Sequence, residues 1–213
     1  MTCDFSLAHY RDLLAAAQSG GYRWAGFDVA PQPGVVILRH DVDLSLDAAL
    51  AVAEVEAEAG AWSTWFVMTR SVFYNLASSE GERAIARLRE LGHRVAHHAV
   101  YPHVDLDDRF DAVVAWHNPD PEYMRVPIDG AVNVMGEPFF DPDHYRSDSN
   151  QHWRNGCPHE ALARGEFEWL QLLTHPEIWV YPGTRMGETM RAMLEEEKER
   201  RLDQLAADRI DLS

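Results

Sequence analysis

Residues 37–43 read Ile-Leu-Arg-His-Asp-Val-Asp, an apolar run that ends in two carboxylates. An apolar run is typical of a buried strand, and α/β folds place their chemistry at the carboxyl ends of strands. Because side chains alternate along a strand, Asp41 and Asp43 are predicted to share one face, and His40 and Val42 the other. Two adjacent carboxylates repel unless a cation lies between them or one keeps a proton. The stretch therefore predicts either a metal site or an aspartate pair that caps the next helix.

Length and composition indicate one globular domain, residues 1–213, and exclude several classes of partner. The chain is 46% hydrophobic and carries a formal net charge of −16, with 35 acidic against 19 basic residues. So acidic a chain is not expected to bind nucleic acid or an anionic membrane surface. It has no apolar stretch near the ~18 residues of a membrane span and no signal pattern, which predicts a cytoplasmic protein. Its two cysteines predict neither a disulfide framework nor a zinc knuckle.

Helices and strands are predicted to alternate along the chain. Helices are predicted over 5–18, 45–60, 79–91 and 187–207, strands over 35–38, 63–68, 93–98, 112–116 and 169–173, and long loops with short strands over 118–165. This order predicts a parallel sheet or a (β/α) barrel. In both architectures the carboxyl ends of the strands meet at one rim, so residues distant in sequence can converge there.

Polar clusters follow four of the predicted strands. They are Arg39–Asp43, His97-His98 with His103, His117-Asn118, and Thr174-His175. Aspartate and histidine ligands are typical of a catalytic metal site, with Zn²⁺ the first candidate and Co²⁺, Mn²⁺ or iron alternatives. Such an ion activates water near neutral pH. Each histidine taken alone is more often an ordinary packing or surface residue, so the joint pattern carries the prediction.

Longer motifs in these regions resemble those of the polysaccharide deacetylases, the NodB-homology or carbohydrate esterase family 4 group. The resemblance is to a branch whose first motif reads Arg-His-Asp-Val-Asp. The matching stretches are 38–43, Ser63-Thr64-Trp65-Phe66, 73–76, Gly92-His93-Arg94-Val95-Ala96-His97-His98, Trp116-His117-Asn118-Pro119, 145–149, Trp153-Arg154-Asn155-Gly156 and 170–176. The resemblance covers about residues 35–180 and implies an irregular (β/α) barrel of the NodB type with about seven parallel strands.

The resemblance implies roles for the first and last motifs. Asp41 matches the usual catalytic base of the family's Asp-Asp motif. Val42 occupies the position of the metal-binding aspartate, so we assign metal binding to Asp43, although the two roles could be exchanged. His175 matches the late-motif histidine that serves as general acid.

The same resemblance leaves the metal site incomplete. His98 matches the first histidine of the metal-binding His-x-x-x-His motif, and its partner should fall at Pro102. His103 is therefore a shifted candidate for the next ligand, and His97 a second one.

Other motif residues receive supporting roles. Arg125 is similar to the arginine of the family's Arg-Pro motif, although a structural role is also open. His117 is expected to contact substrate or metal. Asp148 and Arg154 are expected to support the site or to pair with each other and order the long loop.

These expectations lead to a metal-dependent hydrolase of a C–N bond, most readily a deacetylase of an N-acetylated sugar, nucleotide sugar or related small molecule. Two alternatives stay open. One is an inactive deacetylase-like barrel that serves as a binding or scaffold protein, and the other is a hydrolase of a formyl group or a cyclic ureide. The appended charged helix over 187–207 is expected to pack on the barrel or to pair with a second subunit in a homodimer.

Overall fold

The computed structural model describes residues 3–210. The strands are β1 Arg23–Ala25, β2 Val35–Val42, β3 Thr64–Met68, β4 Arg94–Ala99, β5 Val113–Trp116, β6 Val132–Asn133, β7 Tyr145–Ser147 and β8 Trp169–Thr174. The helices are α1 Leu7–Ser19, α2 Leu46–Glu58, α3 Ser79–Glu90, α4 His159–Ala163, α5 Pro176–Val180 and α6 Met186–Ala207, with 3₁₀ turns at Pro142–His144 and Ser149–Gln151.

All the paired strands form one parallel sheet. Seven strands follow the order β6-β5-β4-β3-β2-β8-β7, and β1 pairs with the first half of β2 outside this path. Within residues 3–210, β6 and β7 do not pair with each other, so the sheet curls into a half-barrel that stays open. The predicted parallel α/β architecture is confirmed in this form. The central position of β2, between β3 and β8, places the 37–43 stretch in the middle of the sheet.

Alternation along β2 divides the core into two parts. Val36, Leu38 and Val42 pack with residues of the helices in the larger apolar cluster. Ile37 belongs to a second cluster on the other face, which we call the inner face. Arg39 and Asp41 continue the face of Ile37 because a strand repeats every two residues. The sequence pattern thus directs Arg39 and Asp41 to the inner face, while the helix-covered face of β2 is apolar except for His40.

Helix α2 is capped by a serine and not by the aspartate pair. The Ser45 hydroxyl accepts a hydrogen bond from the Ala48 backbone N–H at 3.1 Å. This is the normal interaction of an N-cap residue, and it satisfies an otherwise unpaired donor of the first turn. The capping role considered for Asp41 and Asp43 is therefore filled by Ser45.

Strand β2 is longer than the predicted 35–38. It continues to Val42 because Arg39, His40 and Asp41 are all buried in the sheet and find polar partners there. A prediction that ends each strand at its first polar residue misses this extension, because it does not include such pairing.

Two short helices, α4 and α5, lie where no helix was predicted. Each has only five residues, fewer than two turns, so neither can show a helical repeat in its sequence. Helix α5 begins directly after His175, and its first residue is Pro176, a residue suited to a first helical position. The turn between β8 and α5 therefore fixes the backbone that carries the predicted general acid.

Helix α6 confirms the predicted helix over 187–207. Met193 is buried in a small cluster with Ala48 and Tyr181, whereas Leu194 and Leu202 are exposed. The early part of α6 therefore packs against the rest of the domain. None of the described helices has both the length and the apolar character needed to cross a membrane.

Candidate metal and catalytic centre

Three ligand atoms from three strands meet at the carboxyl edge of the sheet. Asp43 follows β2, His98 lies in β4 and His117 follows β5. Asp43 Oδ1 lies 2.9 Å from His98 Nε2 and 3.0 Å from His117 Nδ1, and the two histidine nitrogens are 3.2 Å apart. We call these three residues the Asp43 triad.

Hydrogen bonds orient both histidines of the triad. His98 Nδ1 donates to the carbonyl of Ala115 at 3.0 Å, so Nε2 is the ring nitrogen that faces Asp43. His117 Nε2 lies 3.3 Å from the side-chain amide of Asn118. In metal sites, a carbonyl that accepts from the opposite ring nitrogen commonly fixes the tautomer of a histidine ligand.

The charges of the triad are strongly coupled. Burial would raise the pKa of Asp43, but hydrogen bonds from His117 and His98 hold it well below its ordinary value. The hydrogen bond to Asp43 raises the pKa of His117. A divalent cation would require the ionised carboxylate of Asp43 and neutral imidazoles, so its binding would release the proton that Asp43 favours on His117.

The second carboxylate of the stretch, Asp41, is held by an arginine. Arg39 Nε donates to Asp41 Oδ1 at 2.8 Å and Nη2 donates to Oδ2 at 2.7 Å, while Nη1 donates to Gln171 Oε1 at 3.3 Å. Burial would raise the pKa of Asp41, but the charge of Arg39 keeps it below its ordinary value. Asp41 Oδ2 lies 3.7 Å from His98 Nε2, so this clamped carboxylate borders the triad.

On the other side of Asp43, His175 is held by a buried aspartate. His175 Nδ1 donates to Asp148 Oδ1 at 2.6 Å, and Asp148 Oδ2 accepts a hydrogen bond from Trp179 Nε1 at 2.7 Å. The side chain of Asp148 is fully buried. Burial alone would lower the pKa of His175, but Asp148 raises it to about 10. The ring is therefore protonated at neutral pH, with Nε2 4.0 Å from Asp43 Oδ2.

The structure brings together Asp41, Asp43, His98, His117 and His175, but it does not bring His103 or His97 to them. His103 is exposed and follows the turn at Pro102. His97 points away from the triad because its two ring nitrogens bind backbone groups, the carbonyl of Asp111 and the N–H of Asp107. The third ligand position is occupied by His117, on the neighbouring strand.

Of the remaining predicted residues, one supports the centre and two are exposed. Asp148 holds His175 and does not pair with Arg154, which is exposed. Arg125 is also exposed, and its guanidinium lies 5.4 Å from the ring centre of Phe140. The arginine that binds a carboxylate of the centre is Arg39 and not Arg125.

The sequence did not predict a role for two functional candidates, Arg39 and Glu177. Arg39 could have been found, because it lies two residues before Asp41 and so shares its face. Glu177 could not, since nothing in the sequence shows that its carboxyl group is fully buried and has no hydrogen-bond partner within residues 3–210. Burial raises the pKa of Glu177 to about 7.

A cleft of about 380 Å³ opens beside the centre. Asn118 connects it to the triad, and Ser147 and Ser149 flank Asp148 on its wall. Its other lining residues are Pro119, Met124, Met135, Phe140, Pro142, Tyr145, Arg146, Trp153, Arg154 and Asn155. The mixture of aromatic, amide and hydroxyl groups is typical of a pocket for a small polar ligand.

The Asp43 triad fits a divalent metal ion. One carboxylate and two imidazoles make a three-ligand set of the kind found at catalytic zinc. With ligand bonds of about 2.0–2.1 Å, a tetrahedral ion keeps its donors about 3.3 Å apart. The triad's distances of 2.9, 3.0 and 3.2 Å require only a small expansion. Comparisons with protein-family models, curated proteins and solved structures find no match to this chain.

Proposed function

We propose that this protein is a metal-dependent hydrolase of a C–N bond that removes acetyl from an N-acetylated sugar, nucleotide sugar or related small molecule. One observation carries the proposal: the Asp43 triad lies between an arginine-clamped carboxylate and an aspartate-clamped histidine. Metal ligands, a base and an acid are the three components that amide hydrolysis needs. The likeness of the motifs to polysaccharide deacetylases, with their irregular (β/α) barrel, supports the same assignment.

In this proposal Asp43, His98 and His117 hold the metal. When bound, the ion, which we expect to be Zn²⁺, would polarise the attacking water and the substrate carbonyl. Asp41 is a carboxylate that borders the triad without belonging to it, and it accepts the proton of the attacking water. Arg39 keeps Asp41 ionised and fixes its orientation through two hydrogen bonds.

His175 completes the reaction from the opposite side. Its ring is protonated at neutral pH, so it can donate a proton from Nε2 to the amine nitrogen as the C–N bond breaks. Asp148 acts as a positioning residue, because it binds Nδ1 and directs Nε2 toward the triad. The cleft volume of about 380 Å³ suits a small substrate.

The experiment that tests the proposal compares His117, which lies in the triad, with His103, which the sequence offered for the missing ligand position. We expect His117→Ala to lose one equivalent of bound metal relative to the wild type and to lose acetate release. His103→Ala should keep both, since His103 is exposed and lies outside the triad. Elemental analysis gives the metal content, and a panel of N-acetyl, N-formyl and cyclic ureide substrates gives the activity.

The outcomes of this experiment test the ligand set, the acyl group and the catalytic role separately. Loss of metal in His103→Ala but not in His117→Ala would refute the assigned ligand set. Retained metal with activity only on a formyl or ureide substrate would keep the centre and replace the acetyl group. A wild type that binds no metal at the triad after reconstitution would favour a non-catalytic barrel.

A further inference from the structure

A second group of metal-binding side chains lies away from the strand ends, where α1 packs against α4. Cys3 precedes α1, His9 lies in its first turn, and Cys157 precedes α4. His9 Nε2 lies 3.2 Å from Cys157 Sγ, and the ligand atoms of all three residues lie within 4.8 Å of one another. Residues separated by more than 150 positions thus converge on one point.

The donor set is that of a soft or borderline metal ion. Two sulfurs and one imidazole nitrogen favour Zn²⁺ over the oxygen-preferring Mg²⁺ and Ca²⁺. The indole Nε1 of Trp153 donates to Cys3 Sγ at 3.4 Å, a hydrogen bond that favours the thiolate required of a ligand. His9 is buried against Trp179, with ring centres 6.3 Å apart and an interplanar angle of 14°, which fixes the plane of its ring.

A further donor lies beside these three residues. The ring of His159 is centred 5.6 Å from that of His9, and its Nδ1 is buried without a hydrogen-bond partner among the described residues. Buried polar atoms are seldom left unpaired, because each one costs free energy unless a ligand or water satisfies it. A cleft of about 270 Å³, lined in part by His9, Cys157 and His159, gives an ion access to the group.

We propose that Cys3, His9 and Cys157 bind a thiophilic divalent cation of the zinc type, with His159 as the fourth donor. The site is separate from the Asp43 triad and does not depend on the hydrolase function. It fastens the segment before α1 to the segment before α4. The bound ion would also stabilise the position of Trp179, which stacks on His9 and donates to Asp148. The site therefore supports Asp148, the residue that positions His175.

Cobalt provides a probe that reports on sulfur ligation alone. Thiolate-bound Co²⁺ has a ligand-to-metal charge-transfer band in the near ultraviolet, which a site built from oxygen and nitrogen lacks. We expect the band when Co²⁺ is added to the reduced full-length protein. Cys3→Ser and Cys157→Ser should each abolish it, whereas His98→Gln, which disrupts only the Asp43 triad, should keep it at full intensity. Circular dichroism checks that each variant is folded.

The controls keep this inference distinct from the proposed hydrolase. If His98→Gln loses activity but keeps the band, the two sites are separate, as proposed. If the folded, reduced wild type shows no band while Co²⁺ binds at the triad, the second site is refuted and the hydrolase is untouched. Protein prepared with Zn²⁺ that contains a Cys3–Cys157 disulfide in place of free thiols would also overturn the proposal.

Discussion

At the scale of single residues, the centre works by giving each charged group a partner of opposite charge. Asp41 is bound by Arg39, Asp43 by two histidines, and His175 by Asp148. Buried charges are tolerated only when they are paired and hydrogen-bonded in this way. The pairing also separates the roles of the two carboxylates, since the arginine-bound one cannot leave its position to join the triad.

The His175–Asp148 pair leads to a pH-dependent prediction. The folded-state pKa of His175 is raised from 6.5 to about 10, so its stabilisation is fully present below pH 6.5 and is lost as the pH rises through 10. We expect Asp148→Asn to destabilise the protein at pH 6 and to approach the wild type above pH 10. Urea unfolding at pH 6, 8 and 10 measures the effect.

Turnover provides a second readout for the same variant. Without the Asp148 carboxylate, the pKa of His175 falls and its ring loses the partner that orients it, so we expect the turnover of Asp148→Asn to fall about 10²-fold, within the range that general acid catalysis contributes. The content of metal at the triad should not change, because Asp148 contacts none of the ligands in the described structure. Asp143→Asn, at an exposed aspartate of the 3₁₀ turn before β7, is the control. Equal effects of the two variants would contradict the positioning role.

At the scale of elements, a buried polar network joins α2 to the sheet. Glu56 of α2 is fully buried and binds His40 Nε2 at 2.8 Å, Tyr10 Oη at 2.6 Å and Ser63 Oγ at 2.6 Å. His40 in turn contacts Thr174 Oγ1 at 2.7 Å. His40 thus connects the helix to β8 on the face opposite Asp41, and it takes no part in the metal centre.

Removing the acid at the centre of this network is expected to be costly. We expect Glu56→Ala to lower the free energy of unfolding by about 3–5 kcal/mol, the range for breaking a buried ion pair. Glu54→Ala, on an exposed side of the same helix, should change it by no more than about 0.5 kcal/mol. Urea titration compares the two. A cost below about 1 kcal/mol for Glu56→Ala would show that the network is dispensable for stability.

The network also has a pH dependence of its own. Burial would raise the pKa of Glu56, but the charge of His40 holds it below its ordinary value. The stabilisation is therefore present above pH 4.5 and is lost as the pH falls through the lower, folded-state pKa. The difference in the free energy of unfolding between Glu56→Ala and the wild type should therefore become smaller at acid pH.

At the scale of the whole molecule, an ion at the Asp43 triad would connect β2, β4 and β5. The sheet is an open half-barrel, so ligands on three strands offer a crosslink at its carboxyl edge. A ligand that binds only the folded state stabilises it according to its concentration. Metal binding at the triad, as proposed, would therefore be linked to global stability.

Thermal unfolding tests this link. With Cys157→Ser as the background, to remove the second site, we expect Zn²⁺ at 100 times its Kd to add about 2.7 kcal/mol and to raise Tm. A chelator should reverse the shift. The double variant Cys157→Ser with His117→Ala should show no shift. A zinc-induced rise of equal size in the double variant would mean that the ion binds elsewhere.

Sequence and structure contributed different parts of this picture. The alternation of residues 37–43 determined that Asp41 and Asp43 share a face, and the alternation of strands and helices determined a parallel sheet with its polar groups at one edge. These follow from the sequence because they depend on local geometry, a two-residue repeat and short connections.

Only the tertiary structure decided which distant side chains meet. His117 replaces His103 in the triad because β5 lies beside β4. Asp148 holds His175 because β7 lies beside β8. Cys3 reaches Cys157 because α1 packs on α4. Each of these contacts depends on strand order and helix packing across the chain, which no local repeat in the sequence encodes.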